Sequence, residues 1–173
     1  MDNIAISIMT ALDGWGIPHQ VITALISMIP LLELRGSILV AGLLKLPFIQ
    51  TFIAAVIGNM IPIPFILIFI RKIFEWMKNS KIKWIATVPI KLENKVMKKS
   101  GQIEKYGYWG LLLFVGIPLP GTGAWTGSLL AVLFGLEKKK SLFCIFLGVL
   151  LAGFIMSLVG YGVLNTLLYH NHQ

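Results

Sequence analysis

Two charged side chains, Glu33 and Arg35, stand inside otherwise apolar sequence, in the run Pro30-Leu31-Leu32-Glu33-Leu34-Arg35-Gly36-Ser37. Ionisable groups within a membrane segment are costly and mark a functional site by default. A carboxyl at that depth can carry a coupling proton. A guanidinium gives a fixed positive charge whose planar fork grips a carboxylate or phosphate. On a helix, a spacing of two would turn the pair away from each other; in an extended break both reach the same cavity. The competing reading is a structural ion pair that pins the chain locally, in which case neutralising one partner strands the other.

The second stretch with chemical potential is Pro118-Leu119-Pro120-Gly121-Thr122-Gly123-Ala124-Trp125-Thr126-Gly127, inside an apolar segment from Gly107 to Leu136. Pro118 and Pro120 remove two backbone donors and clash with the preceding turn. Gly121 and Gly123 allow backbone angles that other residues resist. The expectation is a helix broken in mid-segment and resuming near Trp125. Lipid cannot satisfy the freed N–H and C=O groups, so such a break is buried in protein or lines a wet cavity. The alternative is a kinked helix packed on a neighbour, since proline and glycine are common in membrane helices.

Other chemistries find less support. There is no HExxH, no nucleophile–base set and no metal cluster in the sequence, so the chain is read as a non-enzyme without cofactor. The single cysteine, Cys144, excludes an intrachain disulfide and cannot by itself make a metal site. His170 and His172 lie in a polar tail whose default is disorder. The formal net charge is +8, but ten of the fifteen basic residues fall between Arg71 and Lys105. That clustering is the positive-inside bias of a cytoplasmic segment and not a nucleic-acid footprint.

The elements that must position these residues are membrane helices. The 173-residue chain is 57% hydrophobic and 13% charged, against about 25% charged in soluble domains. Ile4–Leu12 is apolar but too short to span, and with Trp15 suggests an interfacial helix. Asp2, Asp13 and the lack of early basic residues argue against a signal peptide. Val21–Leu46 forms either one spanning helix or a hairpin of two short arms. Phe48–Ile70 is the clearest transmembrane helix; it contains Gly58 and Asn59, and Pro62 and Pro64 should bend it. Residues 71–105 form either interfacial helices, with Phe74, Trp76 and Trp84 dipping into headgroups, or a solvated loop. Tyr106, Tyr108 and Trp109 make an aromatic belt. Ser141–Leu168 is the last helix, with Gly148, Gly153, Gly160 and Gly162 offering close-packing faces.

The two halves echo each other. Ile29-Pro30-Leu31 and Ile117-Pro118-Leu119 open the two breaks, Gly36-Ser37 answers to Gly127-Ser128, and Gly58 to Gly148. Paired proline-interrupted segments at corresponding positions point to a transporter site. If residues 71–105 are cytoplasmic, a second broken segment that crossed fully would put Lys138, Lys139 and Lys140 outside, against the positive-inside rule. A segment that dips and returns keeps them inside. The expected fold is therefore an all-α integral membrane protein forming a single domain. It is an inverted repeat of two re-entrant helical hairpins, each followed by a transmembrane helix (about 19–70 and 106–168), with a basic cytoplasmic interfacial segment (71–105) between.

Pro30–Ser37, Gly58-Asn59-Met60-Ile61-Pro62-Ile63-Pro64, Lys105-Tyr106-Gly107 and Ile117–Gly127 together resemble the small multidrug export protein family, regarded as distantly related to the DedA (VTT-domain) superfamily. The likeness covers nearly all of the chain after residue 20. The arginine-rich motif of the DedA relatives is replaced here by Pro118–Trp125. The resemblance implies paired re-entrant loops, proton-linked activity and, for some relatives, movement of polyprenyl-phosphate carrier lipids. The expected function is a small secondary transporter or lipid translocase in the cell (plasma or inner) membrane. Its midplane site would draw on Glu33, Arg35, Gly36 and Asn59, and on Pro118, Pro120, Gly121, Thr122, Gly123 and Trp125. Its partners would be a membrane lipid or small amphiphile, protons and a second copy of the chain as homodimer. The alternative is a non-transporting structural or assembly factor that binds lipids or membrane proteins.

Overall fold

The computed structural model describes residues 16–98 and 101–170, and all of the elements in it are helices. The expected interfacial helix at Ile4–Leu12 with Trp15, and His172 of the tail, lie outside the described residues. In chain order the helices are α1 (His19–Met28), α2 (Glu33–Leu43), α3 (Phe48–Met60), α4 (Pro62–Lys78), α5 (Lys83–Met97), α6 (Gly101–Gly116), α7 (Ala124–Leu133) and α8 (Lys138–His170).

Proline decides where α1 stops. Ile29 is extended (φ −74°, ψ 125°), as expected for a residue whose successor's ring excludes the α region. Val21–Leu46 is thus two helices and not one. Ile17, at the start of the first arm, and Leu46, beyond the end of the second, pack on the same cluster of Ile22, Ile26, Leu32 and Val40. The arms therefore fold back along each other.

The following helical path is longer than expected. Pro62 and Pro64 remove bonds, yet Ile61 keeps helical angles (φ −53°, ψ −49°) and its N–H still reaches the Ile57 carbonyl (3.1 Å). Pro62 stands at the first position of α4, where its missing donor costs least. The helical path from Phe48 runs past Ile70 to Lys78, 31 residues, or about 46 Å at 1.5 Å per residue. Arg71–Lys78 is accordingly the end of a long helix, and the remainder of the basic segment contains α5 and the start of α6, so its described residues are mostly helical. α6 changes direction at Gly107 (φ 56°, ψ −123°).

Backbone contacts group the chain into two compact units, residues 1–61 with 149–173, and residues 62–148. In the first, α3 lies so close to α1 that a Cβ on Gly58 would sit 2.1 Å from the Ala24 carbonyl oxygen. Gly42 meets the Gly160 backbone, and Gly153 faces Phe52 and Leu34. Gly162, expected as another packing position, has nothing within 4 Å of its would-be Cβ. Tyr161 packs edge-on to Phe48, and its hydroxyl donates to the Leu46 carbonyl (3.1 Å).

In the second unit, α7 packs on α6 through Gly127, which faces Val115 and Leu111, and Gly148 on α8 faces Val115 and the Leu112 carbonyl. α4 also packs against α5 and α7, and Lys78 donates to both carboxylate oxygens of Glu93 (2.8 and 2.7 Å). Ile53, Ile57, Phe65, Phe143, Phe154 and Leu158 are exposed on the long helices. An apolar surface of that extent calls for a lipid surround.

Candidate functional site

The first break spans residues 29–32. The Ile29 carbonyl accepts from the N–H groups of Leu32 (3.1 Å) and Glu33 (2.9 Å), closing the turn through the backbone. Glu33 is the first residue of α2 and is 6% exposed. Its φ is 48°, a left-handed conformation uncommon for a residue with a side chain. Backbone held in such a region is a reservoir of strain that clusters at functional sites.

The extended break expected around Glu33 and Arg35 is not found, because both belong to the first turn of α2. They are nevertheless electrostatically coupled. Glu33 does not follow helical angles, so the geometry that would turn the pair apart does not apply. Half-buried Gly36 donates its N–H to the Leu32 carbonyl (2.9 Å).

Behind this turn runs a line of buried hydroxyls that the sequence reading did not select. Thr23 donates to the His19 carbonyl (2.7 Å) and Ser27 to the Thr23 carbonyl (2.9 Å). The Ser27 and Ser37 hydroxyls hydrogen-bond to each other across the arms, and Ser37 reaches the Leu34 carbonyl (3.1 Å). Thr23, Ser27 and Ser37 are fully buried. The available signal was the spacing of four between small polar residues in an apolar run. In the same unit Asn59 is 2% exposed, and its Oδ1 has no hydrogen-bond partner among the described residues. A buried acceptor left in that state is expensive and calls for an explanation.

The second break spans residues 117–123 and carries no charge. With two donors lost to Pro118 and Pro120, Thr122 organises it. Its hydroxyl donates to the carbonyls of Ile117 (3.0 Å) and Leu119 (2.8 Å), and its N–H to Leu119 (3.2 Å). Gly121 (φ 75°) and Gly123 (φ 143°, ψ −174°) take positive-φ angles that glycine adopts far more readily than residues with a side chain. Gly123 is also the N-cap of α7, accepting from Gly127 (2.8 Å), and Trp125 is half-buried in the first turn. The ten expected site residues thus form two sets. Glu33, Arg35, Gly36 and Asn59 lie in one unit; Pro118, Pro120, Gly121, Thr122, Gly123 and Trp125 lie in the other.

Both arms that follow the breaks end alike. Lys45 (φ 54°) donates to the Gly42 carbonyl (3.0 Å) and Leu46 to Ala41 (2.9 Å). Gly135 (φ 65°) donates to Val132 (3.1 Å) and Leu136 to Ala131 (2.9 Å). Each is a Schellman motif, with a left-handed residue closing the last turn. The second unit also holds a cavity of about 420 Å³ with an apolar floor that includes Phe74 and Leu129 and a rim of Arg71, Lys78 and Glu93; the sequence reading did not anticipate it.

Comparison with known proteins identifies a family. A model of the family described as "Putative small multi-drug export protein" matches residues 33–155, from Glu33 at the first break to the middle of α8. No curated protein and no solved structure matches. The matched stretch is well over half of the chain; it begins at Glu33, immediately after the first break, and includes the whole of the second. The chain belongs to the family of small multi-drug export proteins, and its long apolar helices make it a membrane protein of that family.

Proposed function

We propose that the protein is a small proton-linked secondary exporter of an amphiphile, lipid carriers of the kind handled by DedA relatives included. The two broken helices, one in each unit, are its working elements. The halves are read as an inverted repeat of re-entrant hairpins in the cell membrane, with residues 71–105 on the cytoplasmic side. The constant spacing that relates Lys45 to Gly135, Leu46 to Leu136 and Gly58 to Gly148 supports this reading. In that register Pro30 corresponds to Pro120, and buried Thr51 to buried Ser141. The orientation is tested with Lys98→Cys, Lys139→Cys and Lys45→Cys in a Cys144→Ser background. An impermeant thiol reagent should reach only position 45 from outside the cell; labelling at 139 but not at 98 would mean that the second segment spans.

The observation that carries the mechanism is Glu33, a buried carboxyl in strained backbone at the turn of an apolar hairpin, coupled to Arg35. Glu33 is assigned the coupling proton and Arg35 the fixed charge that the substrate or the carboxylate must meet. Flux of ethidium and of a fluorescent anionic phospholipid is measured in proteoliposomes with and without a proton gradient. Glu33→Gln should abolish the gradient dependence while protein level holds, and Arg35→Lys should impair flux. Recovery of both protein and flux in Glu33→Gln/Arg35→Gln would instead identify a structural pair in a differently driven transporter, whereas no flux in the unaltered protein would favour the non-transporting reading.

A further inference from the structure

Apart from the two breaks, the second unit carries an open groove of about 490 Å³ between the start of α8 and the part of α6 that follows the Gly107 kink. Trp109, Leu112, Phe143 and Leu147 line its length, and Lys139 and Lys140 stand at its mouth. Trp109 is 73% exposed and Phe143 61%. Rings so displayed suit the boundary between acyl chains and headgroups, where an amphipathic indole is at home.

The charge at the mouth is unbalanced. Lys138, Lys139 and Lys140 open α8, so three cations crowd the positive end of a helix dipole, a site that favours anions. Glu137 answers only in part, held by Lys140 at 2.7 Å. The Tyr108 hydroxyl accepts the Glu137 N–H (3.0 Å), which leaves the phenol proton to donate outward. A phosphodiester set between Lys139 and Tyr108, with an acyl chain lying along Leu112 and Leu147, would match both halves of this surface.

We infer that this groove is a binding site for a single anionic phospholipid, a site separate from the breaks and independent of whether the protein exports anything. The protein supplies its own reporter, since Cys144 lines the groove and is the sole cysteine of the chain. The intact protein is placed in nanodiscs of phosphatidylcholine, with or without phosphatidylglycerol, and alkylation of Cys144 by N-ethylmaleimide is timed. Phosphatidylglycerol should slow the reaction, and Lys139→Gln should weaken that protection about fivefold, the worth of one lysine at an anionic surface. Lys91→Gln, which removes the same charge from α5, should leave it intact.

Equal loss in Lys91→Gln would mean a diffuse charge effect and overturn the inference. So would protection by inorganic phosphate in phosphatidylcholine discs, or protection that is independent of lipid and rises with protein concentration, the mark of a second copy in the groove. Trp109→Ala gives a separate check by native mass spectrometry. It should lower retention of phosphatidylglycerol on the detergent-solubilised protein, and unchanged retention there would also overturn the site.

Discussion

The two breaks solve one problem in different ways. Each interrupts a helix in apolar surroundings, where every freed backbone group must find a partner. The first is short and closes on itself through the Ile29 carbonyl, with distinctive side chains beside it. Those side chains include a strained, buried Glu33, half-buried Arg35 and, just behind them, the paired hydroxyls of Ser27 and Ser37. The second is longer, lacks two donors, and spends the Thr122 side chain on its own carbonyls. One break is charged and the other is a backbone device. The difference lies in what each break offers its surroundings: ionisable side chains beside the one and a shaped, uncharged turn in the other.

The sharpest way to break the comparison lies at Gly58, where α3 meets α1, and Gly148, where α8 meets α6. A side chain at Gly58 meets the Ala24 carbonyl oxygen at 2.1 Å and two more backbone atoms at 2.6 and 2.7 Å, so α1 and α3 would have to part. At Gly148 the nearest atoms are the Val115 side chain at 2.8 Å and the Leu112 carbonyl at 2.9 Å. Gly58→Val should cost more than about 3 kcal/mol, beyond ordinary overpacking, and remove folded protein from the membrane. Gly148→Val should fall within the usual ~1–3 kcal/mol, with a lowered melting temperature. Equal loss at both would mean that the two hairpins are held alike.

A smaller effect distinguishes the breaks themselves. Thr122→Val keeps the shape and deletes two side-chain hydrogen bonds, although the Ile117 and Leu119 carbonyls keep the N–H groups of Leu119 and Thr122, at a cost of about 1–2 kcal/mol for the pair. Thr122→Ser should restore most of it. Ser37→Ala in the other half should lose about 1 kcal/mol, since Ser27 retains the Thr23 carbonyl. Thermal unfolding of the three variants in detergent orders them, and a Ser37→Ala loss as large as that of Thr122→Val would erase the proposed difference.

The smallest effect concerns the matched helix ends. Lys45 occupies a left-handed position that its counterpart fills with glycine, and that geometry costs an ordinary residue roughly 1–2 kcal/mol. Lys45→Gly should raise the melting temperature and Gly135→Ala should lower it, by similar amounts. A destabilised Lys45→Gly would show that the lysine side chain earns its place by a contact other than the cap.

Much of this architecture was written locally. Pro30 and the Pro118–Gly123 run put the breaks where they are, because a proline lacks a donor and bars its predecessor from the helix, whatever surrounds it. Apolar length marked the two long helices, and the left-handed closures at Gly121, Gly123 and Gly135 fall on the residue type that adopts them most easily. Local rules ended the helix at Ile70, whereas the helical path runs on to Lys78, with Ile61 still reaching the Ile57 carbonyl before Pro62. Tertiary structure decided the rest. Nothing near Glu33 in the sequence requires φ 48°, and nothing in the spacing of Ser27 and Ser37 requires their hydroxyls to meet. Those features arise when two arms fold together and a third helix closes on Gly58 at backbone contact. A run of residues carries its own sterics and hydrophobicity; it does not carry the identity of the surface that will press against it.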